Sequence, residues 1–246
     1  MPIVHHNRST IDPNKKLIVY THQGLGDIIC CYAIIKTFIA ESYEDIIIPG
    51  KKTFLDSLNY LYTGEPRLSI LPIIDTNIIN IEANEVYSYA EQNNLEILQI
   101  GFGNLKQPFH YNQFFDQVNI PYRQSWEIFP NFKSSEHSKK LYDSFSLDNK
   151  DYILEINTNT SGTFELKIDS DLPRVKMFKT DFGSGIFDWI DVIMNAKEIH
   201  TVGTGAFHLI DRIKNFNKHC ALYFHNVRHD FHTIDTNWTW GLIDYE

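Results

Sequence analysis

Three short segments concentrate the residue types that bind phosphate or move protons. His22-Gln23-Gly24-Leu25-Gly26-Asp27 combines two glycines with a carboxylate. Glycines let a backbone turn sharply and approach a ligand closely, and a carboxylate can take a proton from a hydroxyl. Gly203-Thr204-Gly205-Ala206-Phe207-His208 puts a flexible turn, a hydroxyl and an imidazole where a helix begins, and the free N–H groups of a first helical turn bind phosphate. Asn157-Thr158-Asn159-Thr160-Ser161-Gly162-Thr163 has six hydroxyl or amide side chains in seven residues. Ser161 and Thr163 suit hydrogen bonding to sugar or phosphate, and equally a plain surface loop. The first segment is not GxGxxG, so a nicotinamide fingerprint has no support.

Each of these residues also has an ordinary role open to it. Asp27 can be an N-terminal helix residue favoured by the dipole, Thr204 a simple N-cap, and His208 a helix histidine packed on a sheet. Arg174, Lys176, Arg212 and Arg228 could assist an anion or stand as solvated charge; Arg174, just after Pro173 at the start of a strand, ranks first. His225, His229 and His232 have spacings of four and three, which would align them on a helical face. Asn226 and Val227 argue against a helix there and no carboxylate pattern completes a site, so no metal is expected. His225 is set apart because it follows the expected strand Cys220 to Phe224 and would sit at its carboxyl end. His5-His6 carries no functional expectation.

The elements that must hold these segments alternate. A buried strand from Lys16 to Thr21 precedes a helix with Ile28, Cys31, Tyr32, Ile35 and Ile39 at helical spacing. Strands at Ile46 to Pro49, Leu68 to Leu71 and Leu95 to Ile100 alternate with helices at Phe54 to Tyr62 and Glu82 to Gln92. The pattern weakens between Gly101 and Pro130, where one half gives way to another. Beyond it come a polar helix at Ser134 to Phe145, strands at Tyr152 to Asn157 and Arg174 to Phe178, a helix at Ile186 to Ala196, a strand at Lys197 to Val202, a helix at Ala206 to Asn215 and a strand at Cys220 to Phe224. Strands separated by helices pair in parallel through right-handed crossovers. The expected fold class is therefore α/β, with two Rossmann-like lobes (residues 1–130 and 131–246), parallel sheets and a ligand cleft between them. Ligands of such sheets bind outside the carboxyl ends of strands, which is where all three segments fall.

Composition bounds the function. With 246 residues, 43% hydrophobic and 14% aromatic, the chain can bury a sizeable core. Twelve glycines and nine prolines, without repeats, exclude linker-like or collagen-like architectures. A formal charge of −9 argues against general affinity for nucleic acid. Three cysteines, two adjacent at Cys30 and Cys31, make neither a disulfide framework nor a zinc site. Apolar runs are too short to span a membrane, and residues 1–13 lack a signal-peptide core; a cytoplasmic protein is expected. The aromatic segment Asn237 to Tyr245 is too apolar for a free tail and should be ordered, packed either on the first lobe or on its own.

Two of the segments carry a family resemblance. Gly24-Leu25-Gly26-Asp27-Ile28-Ile29 after a strand resembles the GxGD entry loop of bacterial heptosyltransferase-like glycosyltransferases of GT-B type. The stretch from Trp189 to Ile210, with Ala196-Lys197-Glu198-Ile199 and Gly203-Thr204-Gly205-Ala206-Phe207-His208-Leu209, resembles their C-terminal donor-nucleotide segment. The family's Asp at the start of the donor loop is Gly203 here, and family members are commonly longer. The resemblance implies that Asp27 is the base for the acceptor hydroxyl, with Gln23, Gly24 and Gly26 on the acceptor side. It also implies that Thr204, Gly205 and Ala206 cradle the donor diphosphate with His208 nearby; Ser161, Thr163, Arg174 and His225, read from their own types and places in the chain, are further donor-side candidates. The implied substrates are a nucleotide sugar and a saccharide or lipid-linked acceptor, without cofactor or metal. Peripheral contact with a membrane is compatible with this. Two alternatives stand beside it: a catalytically silent nucleotide- or sugar-binding protein of the same fold, and a nucleotide-sugar epimerase.

Overall fold

A computed structural model describes residues 2–12, 15–21, 24–41, 45–76, 78–102, 111–147, 150–180, 182–214, 219–228 and 236–245. The chain divides into two compact units, Met1–Ile128 and Phe129–Glu246.

In the first unit, Val4–His5 (β1), Leu17–Thr21 (β2), Leu25–Ala40 (α1), Ile46–Lys51 (β3), Leu55–Leu61 (α2), Leu68–Ile73 (β4), Ile79–Gln92 (α3) and Glu96–Ile100 (β5) alternate as the periodicity requires. The short helices Asn112–Asp116 (α4) and Gln124–Glu127 (α5) follow. The five strands form one parallel sheet in the order β1-β5-β2-β3-β4. Every residue of β2 and of β5 is buried, as expected for central parallel strands covered on both faces. Helix α1 is apolar nearly all round, and Ile28 to Ile35 are buried without a break. It therefore packs as an interior helix rather than a surface one.

The second unit contains Glu136–Ser144 (α6), Ile153–Ile156 (β6), Thr158–Asn159 (β7), Gly162–Thr163 (β8), Arg174–Lys176 (β9), Ile190–Asn195 (α7), Glu198–Thr201 (β10), Gly205–Arg212 (α8), Ala221–Asn226 (β11) and Gly241–Asp244 (β12). Its sheet is also parallel, in the order β12-β11-β10-β6-β9, with β7 and β8 as a separate antiparallel hairpin. The helix expected from Ile186 begins as a 3₁₀ turn over Gly185–Trp189. Asp188, fully buried, accepts hydrogen bonds from Thr180 Oγ1 (2.5 Å) and the Ser184 backbone N–H (3.2 Å), while Trp189 Nε1 donates to Phe178 O (3.1 Å). These ties fix the chain before the α-helical pattern can start.

The C-terminal segment packs on its own unit. Its strand β12 adds to β11 in parallel register, and Asp211 of α8 accepts from the backbone N–H groups of Asn237 (3.0 Å) and Trp238 (3.3 Å) and from Trp240 Nε1 (3.2 Å). A carboxylate that is 1% exposed is thereby kept satisfied.

Candidate active site

In each sheet the strand order reverses at one place. The first sheet grows from β2 through β3 to β4 and then resumes on the other side of β2 with β5; the second grows from β6 to β9 and resumes on the other side of β6 with β10. Such switch points are where open α/β sheets bind ligands, because adjacent loops leave in opposite directions. The loop after β2 carries Gly24 and Asp27. The loops after β6 and β10 carry Asn157 to Thr163 and Gly203 to Gly205.

At the first switch point Gly24 is the N-cap of α1, in an extended conformation and without a side chain to cap it. Gly26 is the second helical residue, and Asp27, half-buried, is the third. A carboxylate at this third position reaches back toward the cap, the arrangement of a capping box. It does so here, since a β-carbon placed on Gly24 would stand 2.6 Å from Asp27 Oδ2. A side chain there would have to move the carboxylate aside, whereas the φ of −75° suits any residue. Gln23 lies outside the described residues.

At the second, Thr204 caps α8 in an extended conformation (φ −157°, ψ 170°) and its hydroxyl makes no capping bond. The first N–H groups of a helix have no intrahelical acceptor, and Gly203, Thr204 and Gly205 are only half-buried. The turn is therefore open, with Ala206 below it buried. The hairpin after β6 adjoins it: Asn159 Nδ2 donates to Gly203 O (3.3 Å), and the Ser161 N–H donates to Asn159 Oδ1 (2.8 Å). Ser161 and Thr163 are exposed on that hairpin.

His208 packs in the interior, the ordinary role open to it. It is buried, with its ring edge-to-face on Phe207 at 5.1 Å. Burial, reinforced by the Arg212 charge, holds its imidazole well below the usual histidine range and therefore neutral. Arg174 opens β9, in register with Ile153, and its Nη2 donates to Ile168 O (3.3 Å). His225 is not beyond its strand. β11 runs two residues past Phe224, so His225 lies inside it and is fully buried. His229 and His232 lie outside the described residues, and among the described residues no group of three or more His, Cys, Asp or Glu is placed to hold a metal ion.

One face of the second sheet carries a feature that the apolar reading of its strands missed. In register across it lie Lys176, Glu155, His200 and Tyr223, with Glu198 and His225 two residues along their own strands. The polar atoms form a chain. Tyr245 Oη is 2.7 Å from His225 Nδ1, His225 Nε2 is 2.9 Å from His200 Nδ1, and His200 Nε2 is 3.3 Å from Glu198 Oε2. Because the Lys167 N–H donates to Tyr245 Oη (2.9 Å), one consistent assignment passes every proton in the same direction, each neutral imidazole accepting once and donating once. Burial outweighs Glu198 in lowering His200, and burial with the neighbouring His200 lowers His225 to about 4. The signal was present as alternating Glu155-x-Asn157, Arg174-x-Lys176, Glu198-x-His200 and Tyr223-x-His225. A period of two places each pair on one face, whereas a parallel strand buried on both faces is usually apolar throughout.

No family model matches the chain, and no curated protein matches it in sequence. Solved structures do match in fold. The glycosyl transferase family 9 structure from Veillonella parvula DSM 2008 aligns over 94% of this chain and 86% of its own, with TM-score 0.56 and 8% identity. The ADP-heptose lipopolysaccharide heptosyltransferase II of E. coli aligns over 93% and 90%, with TM-score 0.54 and 11% identity. The chain has the fold of these glycosyltransferases. Both parallel sheets and their alternation with helices agree with the α/β, Rossmann-like expectation.

Proposed function

We propose that this protein transfers a sugar from a nucleotide-sugar donor to a hydroxyl of a saccharide or lipid-linked acceptor. The observation that carries the reading is the Gly203-Thr204-Gly205 turn. It opens a helix at the carboxyl end of β10, at a switch point, with its cap hydroxyl uncommitted and its backbone half-exposed. Asp27 takes the proton of the acceptor hydroxyl as its oxygen attacks the anomeric carbon. The bond from that carbon to the diphosphate breaks, and the N–H groups at the start of α8 stabilise the charge left on the nucleoside diphosphate. A single displacement of this kind inverts the anomeric centre.

A second reading, a nucleotide- or sugar-binding protein without turnover, is favoured by Gly203, which stands where the resembling family has an Asp. The test is thermal unfolding of the full chain with nucleoside diphosphates and nucleotide sugars, followed by a transfer assay with any donor that binds. Ligand binding to the native state raises its stability by mass action. Stabilisation with turnover supports transfer, stabilisation alone supports the binding protein, and no stabilisation by any nucleotide removes both transfer and nucleotide binding.

A further inference from the structure

The connection from β6 to β9 has no helix. It passes through the β7–β8 hairpin and an extended strap, Phe164 to Pro173, laid over the polar face of the sheet. The strap is tied down by Phe164 N–H to Asn157 O (2.8 Å), Lys167 N–H to Tyr245 Oη (2.9 Å) and Ser170 Oγ to Glu198 Oε1 (3.3 Å), with Leu166 buried. A strap covers less of a sheet than a helix does, and a pocket of about 400 Å³ remains against it. Its walls include Glu155, Asn157, Thr163, Phe164, Arg174 and Lys176.

Glu155 makes this pocket a site rather than a gap. It is 3% exposed; Oε1 accepts from Asn157 Nδ2 (2.9 Å) and lies 3.4 Å from Lys176 Nζ, but buried Oε2 has no hydrogen-bond partner. An unmet buried carboxylate oxygen is costly unless a donor reaches it. The charges decide which donor. Lys176 already balances Glu155, and Arg174 stands on the same wall, so an added cation would be repelled. Glu155 and the neighbouring Glu165 oppose an anion in turn. What fits is a neutral molecule rich in hydroxyls, each able to donate to Glu155 and to accept from Asn157, Arg174 or Lys176. Phe164 supplies an apolar wall for a ring face, and the volume falls in the range of small-molecule sites.

We propose that the pocket between β6, β9 and the Phe164–Pro173 strap binds a neutral sugar residue, with the Glu155 carboxylate turning to accept from a sugar hydroxyl at its floor. The hairpin on its wall is bonded to the turn before α8 through Asn159 Nδ2 and Gly203 O, but the sugar test does not depend on assigning that turn to the nucleotide.

The experiment is saturation-transfer NMR on the full chain, without nucleotide, using methyl α-glucoside, methyl α-galactoside, methyl α-mannoside and N-acetylglucosamine as probes, with ethanolamine and inorganic phosphate as charged comparisons. Transfer to the ring protons of at least one sugar is expected. Glu155→Gln and Arg174→Ala should each weaken that binding about tenfold, the equivalent of one hydrogen bond to a charged group. Arg174 is exposed, so its variant retains the fold if the buried Glu155 variant does not. Absence of transfer to every sugar, tighter binding of ethanolamine or phosphate than of any sugar, or unchanged sugar binding in Arg174→Ala and in a folded Glu155→Gln would overturn the proposal. Because the sugar readout needs no nucleotide, failure of the pocket and failure of the transferase reading are told apart.

Discussion

A β-carbon on Gly24 would come within 2.6 Å of Asp27 Oδ2, so any side chain at that position must displace the carboxylate. Gly24→Ala keeps an allowed backbone, since φ is −75°, but it must push the carboxylate aside. Turnover is expected to fall while the melting temperature moves little. In the Asp27→Asn background the same substitution should add little further loss, a coupling that a double-mutant cycle in transfer rate measures directly.

Asp27→Asn tests the base itself. General-base catalysis contributes typically about 10²- to 10⁴-fold, so the transfer rate should drop by that much while stabilisation by a nucleoside diphosphate is retained. If the carboxylate only serves the helix start, the variant loses at most about 1 kcal/mol of stability and keeps its rate. Melting temperature, nucleotide affinity and rate on one preparation separate the two roles.

Gly205→Asp tests the turn before α8. The new carboxylate would face the phosphates from the first helical position, so nucleotide-induced stabilisation should vanish although the unliganded melting temperature changes little. Unaltered nucleotide binding would remove this turn from the site.

The buried histidine pair makes folding depend on pH. His225 titrates near 4 in the folded protein, against about 6.5 for an unperturbed histidine. The unfolded chain therefore binds more protons as pH falls from about 6.5 toward 4, and the folded state loses stability over that window. Lowered His200 acts in the same direction. His225→Gln, which can still hydrogen-bond but does not titrate, should flatten the dependence of melting temperature on pH between 7 and 5 by roughly one group's share. An unchanged slope would show that other groups set it.

Asp211 accepts from Asn237, Trp238 and Trp240 while 1% exposed. Asp211→Ala leaves these donors unmet, each costing on the order of 1 kcal/mol or more. A stability loss of about 2 to 4 kcal/mol in denaturant titration is expected, together with earlier proteolytic cleavage near residue 236.

The alternation of strands and helices, and hence the parallel sheets, was legible in the sequence because local periodicity reports which face of an element is buried. The Gly24 to Asp27 and Gly203 to Gly205 turns were legible for a similar reason: glycine beside a helix start has a local meaning. Helix and strand ends were less so, since Asp188 and Trp189 hold their turn through partners at Thr180 and Phe178. Only the tertiary structure decided that Asn237 to Tyr245 returns to its own sheet, and that His225 continues a strand into the interior instead of closing it. It also decided that Glu155, His200 and His225 share one polar face under a strap. Those outcomes depend on which strands become neighbours and in what register, and register between strands dozens of residues apart is set by packing that no local pattern encodes.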